Sequence, residues 1–367
     1  MLFFIHTTNL SLRKKMIFKN LKINNIDLKN RIVISPMCQY SSQNGSPSKW
    51  HYKHLEDLSS TGASMVLLES TAVDKQGKIS NADLCLYNAT HEKNFKKLIK
   101  FLKSKNDIKY GIQISHSGRK GSSYEPWIKH NCPLPKKRSW KTFSASAISR
   151  DKKWPKPNEM TKLQIKKMIQ KFKNTAIRAN RVNFDCLEIH MAHGYLLHQF
   201  FSPISNKRID EYGGNFINRS RLLNEIAEEV RKVWPHKKIL GARITGMDLL
   251  KGGLSINDAI ALSKTLKKIG FDYVSISSGG ILPLTKMKQK EAFRVSMAEK
   301  IKKQSKLITT TSGMITKHMV SENIIKRKQI DFITIARIII KNPRWIIQLA
   351  KKNKIKNYIP NQYKRII

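Results

Sequence analysis

Three polar rings, His190, His193 and Tyr195, fall within six residues of the chain. They follow Cys186-Leu187-Glu188-Ile189, a largely apolar run with the length of a short buried strand. Two imidazoles and a phenol leaving one strand end can aim several hydrogen bonds at one small volume. That chemistry suits an anion or a carbonyl oxygen. A metal pair is the rival, but a zinc site needs three or four ligands, and no nearby Cys or carboxylate completes one. The spacing also differs from the helical HExxH signature, so no metal is expected. Structural histidines are the plainer alternative, and two together, followed by Gly194 and Tyr195, weigh against it.

Those rings need a scaffold. Short apolar runs rich in β-branched residues begin at Arg31, Met65, Tyr110, Cys186, Ile239, Tyr273, Leu307 and Phe332. Between them, 92–103, 162–180, 218–233, 256–269, 293–304 and 319–327 carry apolar residues three and four apart, the period of an amphipathic helix. Strand–helix alternation implies parallel strands joined by crossovers. Eight such units predict an α/β fold, a single (β/α)8 TIM barrel. A doubly wound sheet normally carries GxGxxG after its first strand, and none is present. The long stretch from Gly118 to Glu159, after the third strand, predicts a lid or substrate loop over the barrel mouth.

Polar residues recur at the C-terminal ends of the predicted strands, where barrel enzymes place their sites. Cys38 and Tyr40 follow the first, Ser70 the second, Gln113 and His116 lie at the third, and Arg243 ends the fifth. Ser277-Ser278-Gly279-Gly280, Ser312-Gly313 and Ala336-Arg337 follow the sixth, seventh and eighth. The last two form the usual phosphate corner of such barrels, with Gly313 admitting an anion to the backbone and Arg337 able to fork onto it. Gln113 and Arg243, an amide and a cation in a barrel mouth, need an acceptor-rich partner. An isoalloxazine ring meets that need; a structural salt bridge from Arg243 to Glu188 or Glu69 is the alternative.

The totals narrow the field. At 367 residues and 40% hydrophobic content the chain can bury a large core. Residues 1–15 read as a disordered extension, so the barrel domain is expected over 16–367. No apolar run approaches the roughly 18 residues of a membrane span. The four cysteines form no CxxC pair, which fits a reducing cytoplasm and argues against an Fe–S cluster. The net charge is +45, from 70 Lys+Arg against 25 Asp+Glu. Nucleic-acid binding by a non-catalytic basic barrel is the alternative function this balance suggests. The lysines are spread over the whole chain, however, and no zinc finger, RNP or helix-turn-helix pattern accompanies them, so no specific nucleic acid is expected.

LKNRIVISPMCQYSS, GIQISHSGRK, EIHMAHGYLLHQFFSPISNKRIDEYGG and FITIAR closely resemble the old yellow enzyme family of FMN-dependent ene-reductases. The likeness runs from about Met16 to the C-terminus. It implies an FMN-containing TIM barrel that oxidises NADPH or NADH and reduces activated C=C bonds of α,β-unsaturated carbonyl or nitro compounds by ping-pong hydride transfer. By that resemblance Ser35, Pro36, Met37, Cys38, Ser70, Gln113, Arg243, Gly313, Ala336 and Arg337 bind the cofactor, with Cys38 tuning its potential. Ser70 and Ala336 depart from the family's usual Ala and Gly. The resemblance also makes His190 and His193 the donors to the substrate oxygen and Tyr195 the proton donor. Tyr40, Met191 and Ala192 become substrate contacts. Arg365, within Gln362-Tyr363-Lys364-Arg365, becomes an arginine reaching into a neighbouring subunit of a dimer or tetramer.

Overall fold

Alternation along each strand decides which side chains meet. In the first barrel strand, Ile32 and Ile34 point one way and Val33 the other, as the two-residue period of a strand requires. The computed structural model describes residues 16–283, 289–355, 358, 361 and 365. Its eight parallel strands are β1 (Ile32–Ile34), β2 (Met65–Ala72), β3 (Lys109–Ser115), β4 (Cys186–Met191), β5 (Ile239–Thr245), β6 (Tyr273–Ser277), β7 (Ile308–Thr311) and β8 (Phe332–Ile335). They close in sequence order, β8 pairing β1 at Ile333–Ile32. Each predicted strand is present and begins within one residue of its expected start, inside the margin usual for element ends.

Helices wrap the outside: α1 (Lys49–Ser59), α2 (Ala89–Lys105), α3 (Lys162–Val182), the short α4 (Leu196–Phe201), α5 (Phe216–Val233), α6 (Ile256–Ile269), α7 (Val295–Ser305) and α8 (His318–Lys326). Two more, α9 (Arg337–Lys341) and α10 (Trp345–Lys352), follow β8. Outward strand residues such as Ile34, Leu68, Ile112, Ile189, Ile244 and Ile276 join helix residues such as Phe95, Phe172, Leu222 and Leu262 in one apolar layer. Full burial of one such side chain is worth about 1.5–3 kcal/mol, so this layer fixes which strand face turns inward.

The inward face is apolar only at its lower end. Val33, Met65, Leu67, Cys186, Ile239, Tyr273 and Phe332 form a separate cluster there, plugged by Ile23 and Leu28 of the hairpin Leu21–Ile23/Ile26–Leu28. Two residues further along the same strands the inward side chains turn polar. Gln113 stands level with Glu188, and Arg243 with both His190 and Ser275. A β-bulge between Leu68 and Ser70 breaks the alternation in β2. It lets Glu69 accept from His51 of α1 at 3.2 Å and from the Gln39 amide at 2.8 Å, while Ser70 comes level with Gln113.

The 118–159 insertion is tied down at several points. Arg119, 1% exposed, donates to the carbonyls of Ile148 and Ile281 at 3.1 and 3.0 Å. Phe143–Ser144 pairs with Asn158–Glu159, and Trp127 sets its ring edge-on to Tyr40, 5.8 Å between centroids. The expected extension at 1–15 and the segment 362–364 lie outside the described residues. Among the described residues, no helix is long and apolar enough to cross a membrane.

Candidate active site at the barrel mouth

β4 delivers His190 to the upper inward layer and then breaks into a turn. His193 takes a left-handed φ of 57° and Gly194 one of 70°. A Cβ on Gly194 would lie 2.2 Å from the Gly280 carbonyl oxygen, so only glycine lets this turn rest on the loop after β6. The Gly194 amide donates to Nδ1 of buried His198 at 2.7 Å, and Nε2 of His198 donates to Asp248 at 2.8 Å. The turn is thus anchored from behind by an imidazole–carboxylate pair.

Hydrogen bonding fixes the tautomers of the imidazoles in front. The Ala192 amide donates to Nδ1 of His190 at 3.1 Å, which leaves the His190 proton on Nε2. That proton is directed at Nδ1 of His193, 3.1 Å away, and Nε2–H of His193 donates to Ser277 Oγ at 2.6 Å. The Tyr195 ring stands edge-on to His190, 4.8 Å between centroids. Burial, then the neighbouring Arg243, holds both imidazoles well below the usual histidine range. Both are neutral donors at pH 7. Tyr195 moves the other way: burial, then Cys38, raises its phenol well above the ordinary value. It keeps its proton until a reaction takes it.

This arrangement sets a pH dependence. Unfolded imidazoles bind protons near pH 6.5, whereas the buried pair resists them, so below that pH the unfolded state holds more protons and stability falls. The flavin-free protein is expected to lose thermal stability from about pH 7 to about pH 5, by at most about 1.4 kcal/mol per imidazole per pH unit. His190→Asn with His193→Asn should flatten that slope. Equal slopes would show that the pair does not titrate differently on folding.

The other expected residues divide. Ser35, Ser70, Gln113 and Arg243 are buried, and Cys38 and Tyr40 are partly so. Ionisation of Cys38, Tyr40 or Tyr195 is opposed by that of its neighbours among the three, which places them in one volume. Burial, then Glu69, raises the Cys38 thiol, so it stays protonated. Gln113 has a protein partner: its amide donates to Glu188 at 2.7 Å, and Tyr273 donates to the other Glu188 oxygen at 2.9 Å. Burial raises the Glu188 pKa. Met191 packs into the helix-facing layer, and Ala192 is fully buried. Pro36 and Met37 are half-buried beside Ser35. Gly313 and Ala336 border the corner after β7 and β8, where exposed Arg337 rests on Met314 Sδ at 3.7 Å. Arg365 is exposed on the single chain.

Two further residues belong to the site. Lys120, the last residue of GIQISHSGRK, donates to the His193 carbonyl at 2.7 Å and sits 4.9 Å over the Tyr195 ring. Burial, then Arg150 and Arg119, lowers its ammonium to about 7. Arg294 donates to Ser278 Oγ at 2.8 Å and to the Ser312 carbonyl at 3.2 Å. Neither lies on a strand end; Lys120 closes the GIQISHSGRK motif without being singled out in it, and Arg294 falls in no motif.

The residues present fit a flat, acceptor-rich ring carrying a phosphate. Arg243 is buried, donates to Ser312 Oγ at 3.1 Å, and its Nε has no hydrogen-bond partner among the described residues. Among those residues Arg243 forms no ion pair within 4 Å. Glu69 is committed to His51 and Gln39, and Glu188 to Gln113 and Tyr273, so the expected alternative of a direct salt bridge is not formed. Glu188 lies near enough to favour the Arg243 charge without bonding it, which leaves guanidinium donors free for an anionic or acceptor ligand.

Known proteins point the same way. A model of the NADH:flavin oxidoreductase / NADH oxidase family matches residues 16–356. An NADPH dehydrogenase of Geobacillus sp. (strain WCH70) is 36% identical over 339 residues, covering 92% of this chain and 94% of the relative. That of Bacillus subtilis (strain 168) is 36% identical over 353 residues, covering 96% and 99%. Among solved structures, morphinone reductase in complex with tetrahydroNAD superposes with a TM-score of 0.75 at 18% identity, over 92% of this chain and 91% of that one. A 2-naphthoyl-CoA reductase complex gives 0.83 at 23% identity, over 92% of this chain and 52% of that one. These two are likenesses of fold.

Proposed function

The chain belongs to the NADH:flavin oxidoreductase / NADH oxidase family of FMN-dependent NAD(P)H oxidoreductases, and from that premise we propose that it reduces activated C=C bonds of α,β-unsaturated carbonyl or nitro compounds. The observation that carries this reading is the meeting of neutral His190 and His193, protonated Tyr195 and buried Arg243 at one end of one barrel. Bound FMN supplies the two-electron relay between NAD(P)H and substrate. Arg243 and Gln113 would hold its acceptor edge, Ser35 to Cys38 and Ser70 would line the ring, and Gly313, Ala336 and Arg337 would hold its phosphate.

The chain's own part is polarisation and proton delivery. His193 Nε2–H, now given to Ser277 Oγ, is the donor that a substrate oxygen competes for. Because the imidazoles are neutral, they stabilise negative charge developing on that oxygen without surrendering a proton. The α carbon receives its proton from Tyr195, whose raised pKa keeps the phenol loaded. Tyr40, close enough that its ionisation and that of Tyr195 oppose each other, would contact the same substrate. Met191 and Ala192 would contribute through their backbone, since their side chains are buried. Arg365, exposed on the single chain, would complete the mouth of a neighbouring subunit in a homo-oligomer.

FMN-loaded protein given NADPH and cyclohexenone without oxygen is expected to form cyclohexanone, one equivalent per NADPH consumed. NADPH oxidation that proceeds only with oxygen and leaves the enone intact would contradict this reading. The basic composition offers a second outcome: retention on RNA that weakens with salt in protein lacking flavin would favour the nucleic-acid alternative.

A further inference from the structure

The loop after β7 gathers more positive charge than Arg243 and Arg337 supply. Arg294, the N-cap of α7, spans two loops: Nε donates to Ser278 Oγ after β6 at 2.8 Å, and a terminal nitrogen donates to the Ser312 carbonyl after β7 at 3.2 Å. Arg243 donates to Ser312 Oγ at 3.1 Å, and Arg337 touches Met314 Sδ at 3.7 Å. Three guanidiniums from three elements therefore converge on Ser312-Gly313-Met314.

None of the three has an ion-pair partner among the described residues. The preceding stretch of sequence, 284–288, carries lysines and no acid. Burial, then Arg243 and Arg337, draws the Arg294 pKa down to about 10. Like charges brought close together are unfavourable until an anion joins them. The geometry also says where that anion sits. A Cβ on Gly313, whose φ is +144°, would lie 3.3 Å from a terminal nitrogen of Arg294 and 3.0 Å from Phe293 Cε1. A group seated against the Gly313 backbone is thus within reach of Arg294. The Phe293 ring, 4.4 Å from the guanidinium, steadies its plane.

We propose that Arg294 is a third guanidinium for the phosphate of the flavin, and that it makes the site discriminate FMN from phosphate-free riboflavin. This rests on the flavin reading above and assigns a group that the sequence did not single out. The test is titration of flavin-free protein with FMN and with riboflavin, followed by quenching of flavin fluorescence. Arg294→Gln is expected to weaken FMN about ten- to a hundredfold, the range of a charge-assisted hydrogen bond, and riboflavin less than about threefold. Arg294→Lys should recover part of the loss by restoring the charge without the fork. FMN affinity within about threefold of wild type in Arg294→Gln, or an equal loss for both flavins, would overturn the assignment while leaving the flavin reading intact. A defect confined to NADPH over NADH would move the guanidinium to the dinucleotide's phosphate and overturn it too. Wild-type protein that binds neither flavin would remove this inference together with the reading beneath it.

Discussion

Replacing His190 and His193 together by alanine is expected to lower kcat/KM for cyclohexenone by about 10³-fold or more, with FMN still bound. Removing one preorganised donor from a water-poor site typically costs about 10²–10³ in rate, and here two imidazoles form one hydrogen-bonded chain ending on Ser277. The effect should fall mainly on turnover because the turn is also held from behind, independently of the pair, by His198 and Asp248. Histidines serving only the structure would give the opposite pattern, a lower melting temperature with turnover per folded molecule unchanged. Steady-state rates beside a melting curve of the same preparation separate the two.

Arg243→Met is expected to weaken both FMN and riboflavin by about 10²-fold or more, since a desolvated, charge-assisted contact to the ring edge is lost in each case. The equal loss distinguishes Arg243 from Arg294, whose effect should be confined to the phosphate-bearing flavin. The flavin-free variant sheds a desolvated guanidinium with an unpartnered Nε and also the cation near Glu188, two opposed effects, so its melting temperature should change little. Had Arg243 been the structural partner of Glu188, breaking the pair would cost about 3–5 kcal/mol. Fluorescence titration and calorimetry of the flavin-free protein measure both quantities. Unchanged flavin affinity with a collapsed melting temperature would reverse the assignment.

The barrel was legible because its outward strand faces are uniformly apolar and its crossover helices carry three- and four-residue periodicity. Helix α1 escaped because its buried face includes His51, which serves Glu69, so a polar residue stands where the period calls for an apolar one. Helix α4 escaped for the opposite reason: all six of its residues are buried, and a segment buried all round has no amphipathic period. At the site, strand-end position was enough to select Gln113, His190 and Arg243. It could not show that Gln113 is already held by Glu188; the resemblance put Met191 among the substrate contacts, whereas strand alternation from inward His190 turns it to the helices. Lys120 and Arg294 lie on a 3₁₀ turn and a helix cap. Only the folded chain distinguishes them from the other basic residues.

The direct measurement is the visible spectrum of the FMN-loaded protein as a para-substituted phenol is added. If the imidazole pair holds an oxygen against the face of a flavin bound by Arg243, a long-wavelength charge-transfer band should grow with phenol and be lost in His190→Ala/His193→Ala. Protein that takes up FMN yet shows no such band, or shows it undiminished without the two histidines, would mean that ring and donors do not share one mouth.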